Sequence, residues 1–236
     1  MAVSLRHPLM ASHLATEQPT INKAWEHFVD HVPTILLIWV ATAVLAGLGY
    51  GIYMLFSLIG LGVSSNMGSD TAATVGMAFG QLVQLPLSIL SNLVGVLFVA
   101  VPALFYASGE TVTVQQAFAA LLKRPWRYLL AGILFSLISA IGFVLCILPG
   151  IAVMLVMPVY VNRIFLTDQS ITDAFAASFQ AVYRSANGPD FLVIEILAWL
   201  LVVVVSICTC GLGALVAVPV SSFYLQNAAY HKGLIS

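Results

Sequence analysis

Charge is what this sequence has least of: only 7% of its 236 residues are Asp, Glu, Lys or Arg, and the net charge is −1. With no basic tract, general attraction to nucleic acid is excluded. Cysteine is nearly absent as well, and three thiols, Cys146, Cys208 and Cys210, cannot build a disulfide scaffold. The long apolar stretches lack period-two alternation, which argues against a transmembrane barrel. The first 32 residues hold no apolar run long enough for the core of a cleaved secretory signal. Hydrophobic residues fill the remainder, at 61%. In lipid the backbone must satisfy its own hydrogen bonds, so runs of this kind are expected to be helices. The expected fold class is all-α, a polytopic integral membrane protein whose first partner is the lipid bilayer.

Between Arg127 and Arg163 no residue is charged, and the stretch is interrupted by Pro149 and Gly150. About 20 apolar residues cross a ~30 Å hydrocarbon core, so 127–148 and 151–167 read as two spans joined by a tight turn. Before them, residues 34–61 form a first span. Residues 62–74 read as a polar loop, and a second span ends near Tyr106 with a bend expected at Pro86. The last apolar run, 191–230, is too long for one helix and divides at Cys210, Gly211 and Gly213. The count is six. Loop charges agree with it, because Arg6, Lys23, Lys123, Arg124, Arg127, Arg163, Arg184 and Lys232 then share one side and the other carries only Asp70. The basic side is cytoplasmic, which places both termini inside. The cysteines fall near the outer ends, where Cys146 could meet Cys208 or Cys210. Free buried thiols are the preferred reading.

A repeat underlies the spans. Thr20-Ile21-Asn22-Lys23-Ala24-Trp25, Thr113-Val114-Gln115-Gln116-Ala117-Phe118 and Ser170-Ile171-Thr172-Asp173-Ala174-Phe175 share a hydroxyl, a β-branched residue, two polar residues, Ala and an aromatic. Each reads as a helix start, and Thr113 with Gln116 and Ser170 with Asp173 have capping-box spacing. Each copy runs to a proline that opens an odd-numbered span (Pro33, Pro125, Pro189), and each even-numbered span carries another (Pro102, Pro158, Pro219). After a polar tail over 1–19, a single six-span domain over 20–236 is expected. It consists of three units of interfacial amphipathic helix plus hairpin, at about 20–112, 113–169 and 170–236.

The order of an Ala-Phe helix, an odd span, Leu148-Pro149-Gly150-Ile151, a proline-bearing even span and then Ser-Ile-Thr-Asp-Ala-Phe resembles the YciC-like bacterial inner-membrane proteins. It is similar, too, to the membrane domain found on some glycerophosphoryl diester phosphodiesterases. The resemblance covers roughly residues 20–230 and implies a six-span membrane domain. The phosphodiesterase chemistry belongs to a separate soluble domain for which this chain has no room, and no catalytic residue carries over.

Several residues invite a functional reading. Gln81, Gln84, Ser88, Ser91, Asn92 and Gly95 recur at steps of three and four along the second span, either as a polar track or as the polar glue of a helix interface. Ala43, Gly47 and Gly51 form a small-residue row in the first span, which reads as a packing face for a neighbouring helix. Glu195 is the single charge inside a span, a candidate proton or cation site or the partner of Arg163 in an ion pair. Lys123, Arg124, Trp126 and Arg127 sit where the third span enters the membrane and read as headgroup anchors. His27 and His31 are four apart on one helix face, a chelating spacing, but no third ligand completes it, and neither a metal nor a cofactor is expected. No nucleophile, base and orienting group assemble into an enzyme. The expected function is that of a non-catalytic assembly factor, scaffold or accessory subunit, associating with other membrane-protein subunits or with itself. The alternative is a transporter or sensor of a small solute, ion or lipid.

Overall fold

The computed structural model describes residues 13–67 and 70–235. Among them every regular element is a helix, which bears out the all-α expectation. In chain order these are α1 (His13–Thr16), α2 (Ile21–Asp30), α3 (Val32–Met67), α4 (Thr71–Gly95), α5 (Leu97–Ser108) and α6 (Val114–Lys123). They continue with α7 (Pro125–Leu145), α8 (Ile147–Met154), α9 (Met157–Leu166), α10 (Ile171–Arg184), α11 (Gly188–Cys208) and α12 (Ala214–His231). Val32–Asn66, Thr71–Ser108, Pro125–Leu145 and Gly188–Cys208 are long and apolar enough to cross a bilayer. The pair α8 and α9, bent by 40°, makes a fifth if taken as one broken span. By length and composition, these four to five helices among the described residues mark a membrane protein. α12, which carries Gln226 and Asn227, falls outside that set.

The chain expected as one domain over 20–236 packs as two compact units. One is Leu36–Gly95, and the other is formed by the described residues on either side of it. Within the first, glycines set the approach of α3 to α4. A Cβ on Gly76 would lie 2.7 Å from the Gly60 Cα and 2.7 Å from the Phe56 carbonyl oxygen, and one on Gly80 would lie 3.0 Å from the Tyr53 oxygen. Small residues let two backbones meet where lipid offers no hydrophobic drive to bring helices together. The row Ala43, Gly47 and Gly51 is not this seam. All three are exposed, and a Cβ on Gly47 or Gly51 would meet nothing within 4 Å.

One further expectation is corrected in this unit. The polar stretch 62–74 is mostly helix, because Ser65 Oγ and Asn66 Nδ2 each donate to the Gly62 carbonyl at 2.8 Å and so do not compete with the helical ladder. Pro86 lies inside α4, and the helix runs on to Gly95. The interruption comes at Val96, where the Val99 N–H donates to the Val96 oxygen in a tighter i to i−3 step.

In the second unit α5, α9 and α12 pack on one another, and the amphipathic helices lie around them: α2 against α12, α6 against α5 and α7, α10 against α9, α11 and α7. Their starts are capped as the sequence suggests. Thr20, Thr113 and Ser170 each accept from the backbone N–H three residues on, and at Thr113 the Gln116 side chain completes the box. Residues four and eight beyond each cap are buried: Ala24 and Phe28, Ala117 and Leu121, Ala174 and Ser178.

The turn after α7 is displaced from Pro149 and Gly150 to Cys146, which is extended (φ −173°, ψ 152°). Pro149 sits in the first turn of α8, where its missing N–H would have no helical partner anyway. Gly150 serves contact: a Cβ on Gly142 would lie 2.9 Å from the Gly150 Cα, so these two glycines let α8 fold back on α7. The division of 191–230 falls as expected, with Gly211 at φ +91° in the turn between α11 and α12.

Replacing Gly76 by Ala forces a methyl into backbone. It should cost about 1–3 kcal/mol, the usual range for overpacking, read as a lowered thermal midpoint in detergent. Gly47→Ala, into open space, should not lower it.

Candidate functional site

The polar side chains of the inner bundle converge on α12. Asn162 on α9 donates to Gln226 Oε1 (3.1 Å) and to the Tyr230 hydroxyl (3.2 Å), and Gln226 Nε2 donates to the Pro158 oxygen (2.8 Å). Pro158 has no N–H to give the Met154 carbonyl, and the chain bends between α8 and α9 immediately before it. Next to Gln226, Asn227 Nδ2 donates to the carbonyls of Leu14, Ala15 and Glu17 (3.1–3.3 Å). These include carbonyls at the end of α1 that have no helical partner. Part of the expected polar tail is thus a helix held on α12, and residues 1–12 of it, with Arg6, lie outside the described residues. Asn162, Gln226 and Asn227 were not singled out from the sequence. The available signal was three amides four to eight residues beyond Pro158 and Pro219 in mostly apolar helices.

His31 forms a second joint. Its Nδ1–H donates to the His27 oxygen (2.6 Å), and its Nε2 accepts from the Val112 N–H (3.0 Å), while Thr34 Oγ1 donates to the Val112 oxygen (2.9 Å). The imidazole is fully buried against Phe105 and Phe223, both at 5.0 Å between ring centres. His27 turns its ring to Phe105. The two histidines therefore pack and bond, and among the described residues no group of three or more His, Cys, Asp or Glu could hold a metal ion. Burial lowers both imidazoles from the ordinary 6.5.

The stripe on the second span is split. Ser91 is buried and donates to the Thr42 oxygen (3.1 Å), and Gln84 lies against Gly49, whereas Gln81 and Asn92 are exposed and Ser88 is half-buried. Glu195 continues the inward row of Gly188 and Phe191 on α11. It is 5% exposed, and its Oε2 has no hydrogen-bond partner. Burial, with the Glu195 carboxylate adding to it, pushes the nearby Tyr183 phenol up to about 12. Tyr183 itself donates to the Ala152 oxygen (2.7 Å). Arg163 is elsewhere engaged: its Nη2 donates to the Leu234 oxygen (3.0 Å), and its Nε is buried without a partner. Among the described residues no ion pair joins Arg163 to Glu195.

At the α6–α7 junction Arg124 pairs with Asp168 (2.5 Å). Arg127 Nε and Nη2 donate to the Ile164 and Thr167 oxygens (3.3 and 2.9 Å), closing the C-terminus of α9. Trp126 is 74% exposed, and Lys123 is exposed. Cys146, Cys208 and Cys210 are free, as preferred, but exposed rather than buried. No family model, curated protein or solved structure matches this chain.

Two measurements probe these joints. A lowered imidazole pKa favours the neutral, folded form, so the stabilisation is complete above 6.5 and is lost as pH falls through the lower folded value. The thermal midpoint should drop between about pH 7 and about pH 5, and less steeply in His31→Gln. For the unpaired charges, losses in Glu195→Gln and Arg163→Gln should add in the double variant to within about 0.5 kcal/mol; a larger coupling would show that they interact.

Proposed function

We propose that this protein is a non-catalytic subunit of a membrane complex, an assembly factor, scaffold or accessory component that docks through its spans and interfacial helices. The observation that carries this reading is where the polar groups spend their hydrogen bonds. Asn162, Gln226, Tyr230 and Asn227 bond to one another and to backbone, and Ser91 of the second-span stripe bonds to a neighbouring carbonyl. Side chains committed in this way tie helices together instead of offering free groups to a solute.

The arrangement behind it is three units of interfacial helix plus hairpin, with α12 as the sixth span. Support comes from the shared pattern of caps and of buried positions four and eight beyond them. Further support comes from the residue four beyond each proline of α5, α9 and α12: Tyr106, Asn162 and Phe223 are all buried. The amphipathic helices form a collar on the cytoplasmic side, where the basic residues gather, and the membrane is a bacterial inner membrane, as the resemblance to the YciC-like proteins implies. A second reading, transport or sensing of a solute, ion or lipid, rests on the buried and unpartnered Oε2 of Glu195.

Two experiments test this reading. Impermeant maleimide should label the native Cys208 and Cys210 in intact cells, whereas Glu110→Cys in a cysteine-free background should react only in permeabilised ones; the reverse would invert or break the six-span topology. Extraction in mild detergent followed by native mass measurement should find the protein in a complex larger than one chain. A lone chain that catalyses a solute flux after reconstitution, with the flux lost in Glu195→Gln, would favour the second reading.

A further inference from the structure

The α6–α7 junction gathers three cations around one carboxylate. Asp168, in the link from α9 to α10, is 84% exposed and is held by Arg124. The hydrogen bond and charge of Arg124 keep its carboxyl below the ordinary range, with Arg127 and then Lys123 adding their charge. The cluster is built rather than incidental. Arg127 is fixed by two carbonyls at the end of α9, Arg124 by Asp168, and Lys123 is the last residue of α6, so three elements position it. Beside it, Leu122 and Trp126 are 70% and 74% exposed, placing apolar surface next to the charge. The neighbouring junctions are different. The exposed charges near the α2–α3 link are Glu26 and Asp30, and at α10–α11 the carboxylate of Asp190 is matched by Lys232 at 2.7 Å, beside one further exposed cation, Arg184.

We infer that Lys123, Arg124 and Arg127 form a binding site for the headgroup phosphate of an anionic phospholipid, with Asp168 holding the cations in place and Leu122 and Trp126 seated at the acyl boundary. Excess positive charge beside an amphipathic aromatic at the foot of a span suits a lipid that is charged at one end and apolar at the other. Asp168 neutralises only part of the cluster, so it both organises the site and opposes the ligand. This goes beyond headgroup anchoring in general, since it names the lipid charge and the residues that select it. It rests on the reading of α7 as a span and not on the scaffold role.

The test uses the full chain in mild detergent, titrated with mixed micelles of phosphatidylglycerol or of phosphatidylcholine and followed by thermal midpoint and by lipid adducts in native mass spectra. Phosphatidylglycerol should raise the midpoint and phosphatidylcholine should not. Lys123→Gln should weaken the apparent affinity about fivefold, the worth of one basic residue near an anionic surface. Arg184→Gln, which removes an exposed charge elsewhere, should leave it unchanged. Equal response to both lipids, or an unchanged affinity in Lys123→Gln, would overturn the site. Inorganic phosphate reproducing the stabilisation at similar concentration would assign the cluster to a soluble anion instead. Association state does not enter these readouts, so failure here and failure of the scaffold reading are separable.

Discussion

Two adjacent amides on one helix, Gln226 and Asn227, hold the second unit together. Neighbouring residues on an α-helix point about 100° apart, so the pair serves two different elements: Gln226 reaches α9 through Asn162 and the Pro158 oxygen, and Asn227 reaches the carbonyls of α1. Both are buried, and a buried amide without partners costs about 1–3 kcal/mol for each unmade bond. That penalty makes the arrangement selective. Sliding α12 by one residue would leave both amides and the α1 carbonyls unsatisfied at once.

The unit Leu36–Gly95 works by different means. Its helices meet at Gly60, Gly76 and Gly80, where closeness of backbone replaces side-chain bonding. Ser91 adds a polar contact to the Thr42 oxygen. Such a hairpin keeps most of its apolar surface facing outward, as the exposed Leu48, Leu55, Leu58, Phe79 and Leu82 illustrate. In lipid that surface carries no penalty. Charge is handled with the same economy: Lys23 with Glu17, Arg124 with Asp168 and Lys232 with Asp190 are paired near helix ends, outside the longest apolar runs.

Much of the local structure was legible because it depends on near neighbours. Thr20, Thr113 and Ser170 cap helices through bonds three residues long, and Gly211 turns the chain at positive φ without help from elsewhere. Proline and polar composition were less reliable. Pro149 sits in a first turn rather than at the break, and Ser65 and Asn66 fold back onto the ladder they were expected to end. In the candidate sites, residue type was visible but partnership was not. Arg163 and Glu195 leave their helices at similar depth on paper, yet Arg163 turns to the Leu234 carbonyl and Glu195 faces inward on the row of Phe191.

By itself the sequence determined the helical class, the apolar runs, the caps and the concentration of basic residues near particular helix ends, since each follows from composition or from spacing along a single helix. The tertiary structure decided which face of each helix meets another. Period and composition leave the rotation of a helix about its own axis free, and in a helix apolar on all sides nothing but the partner removes that freedom. Hence Gly49, Gly60, Gly76 and Gly80 form the close approach while Gly47 and Gly51 face open space, and hence Asn162, Gln226 and Asn227, three ordinary amides in the sequence, become the polar centre of the bundle.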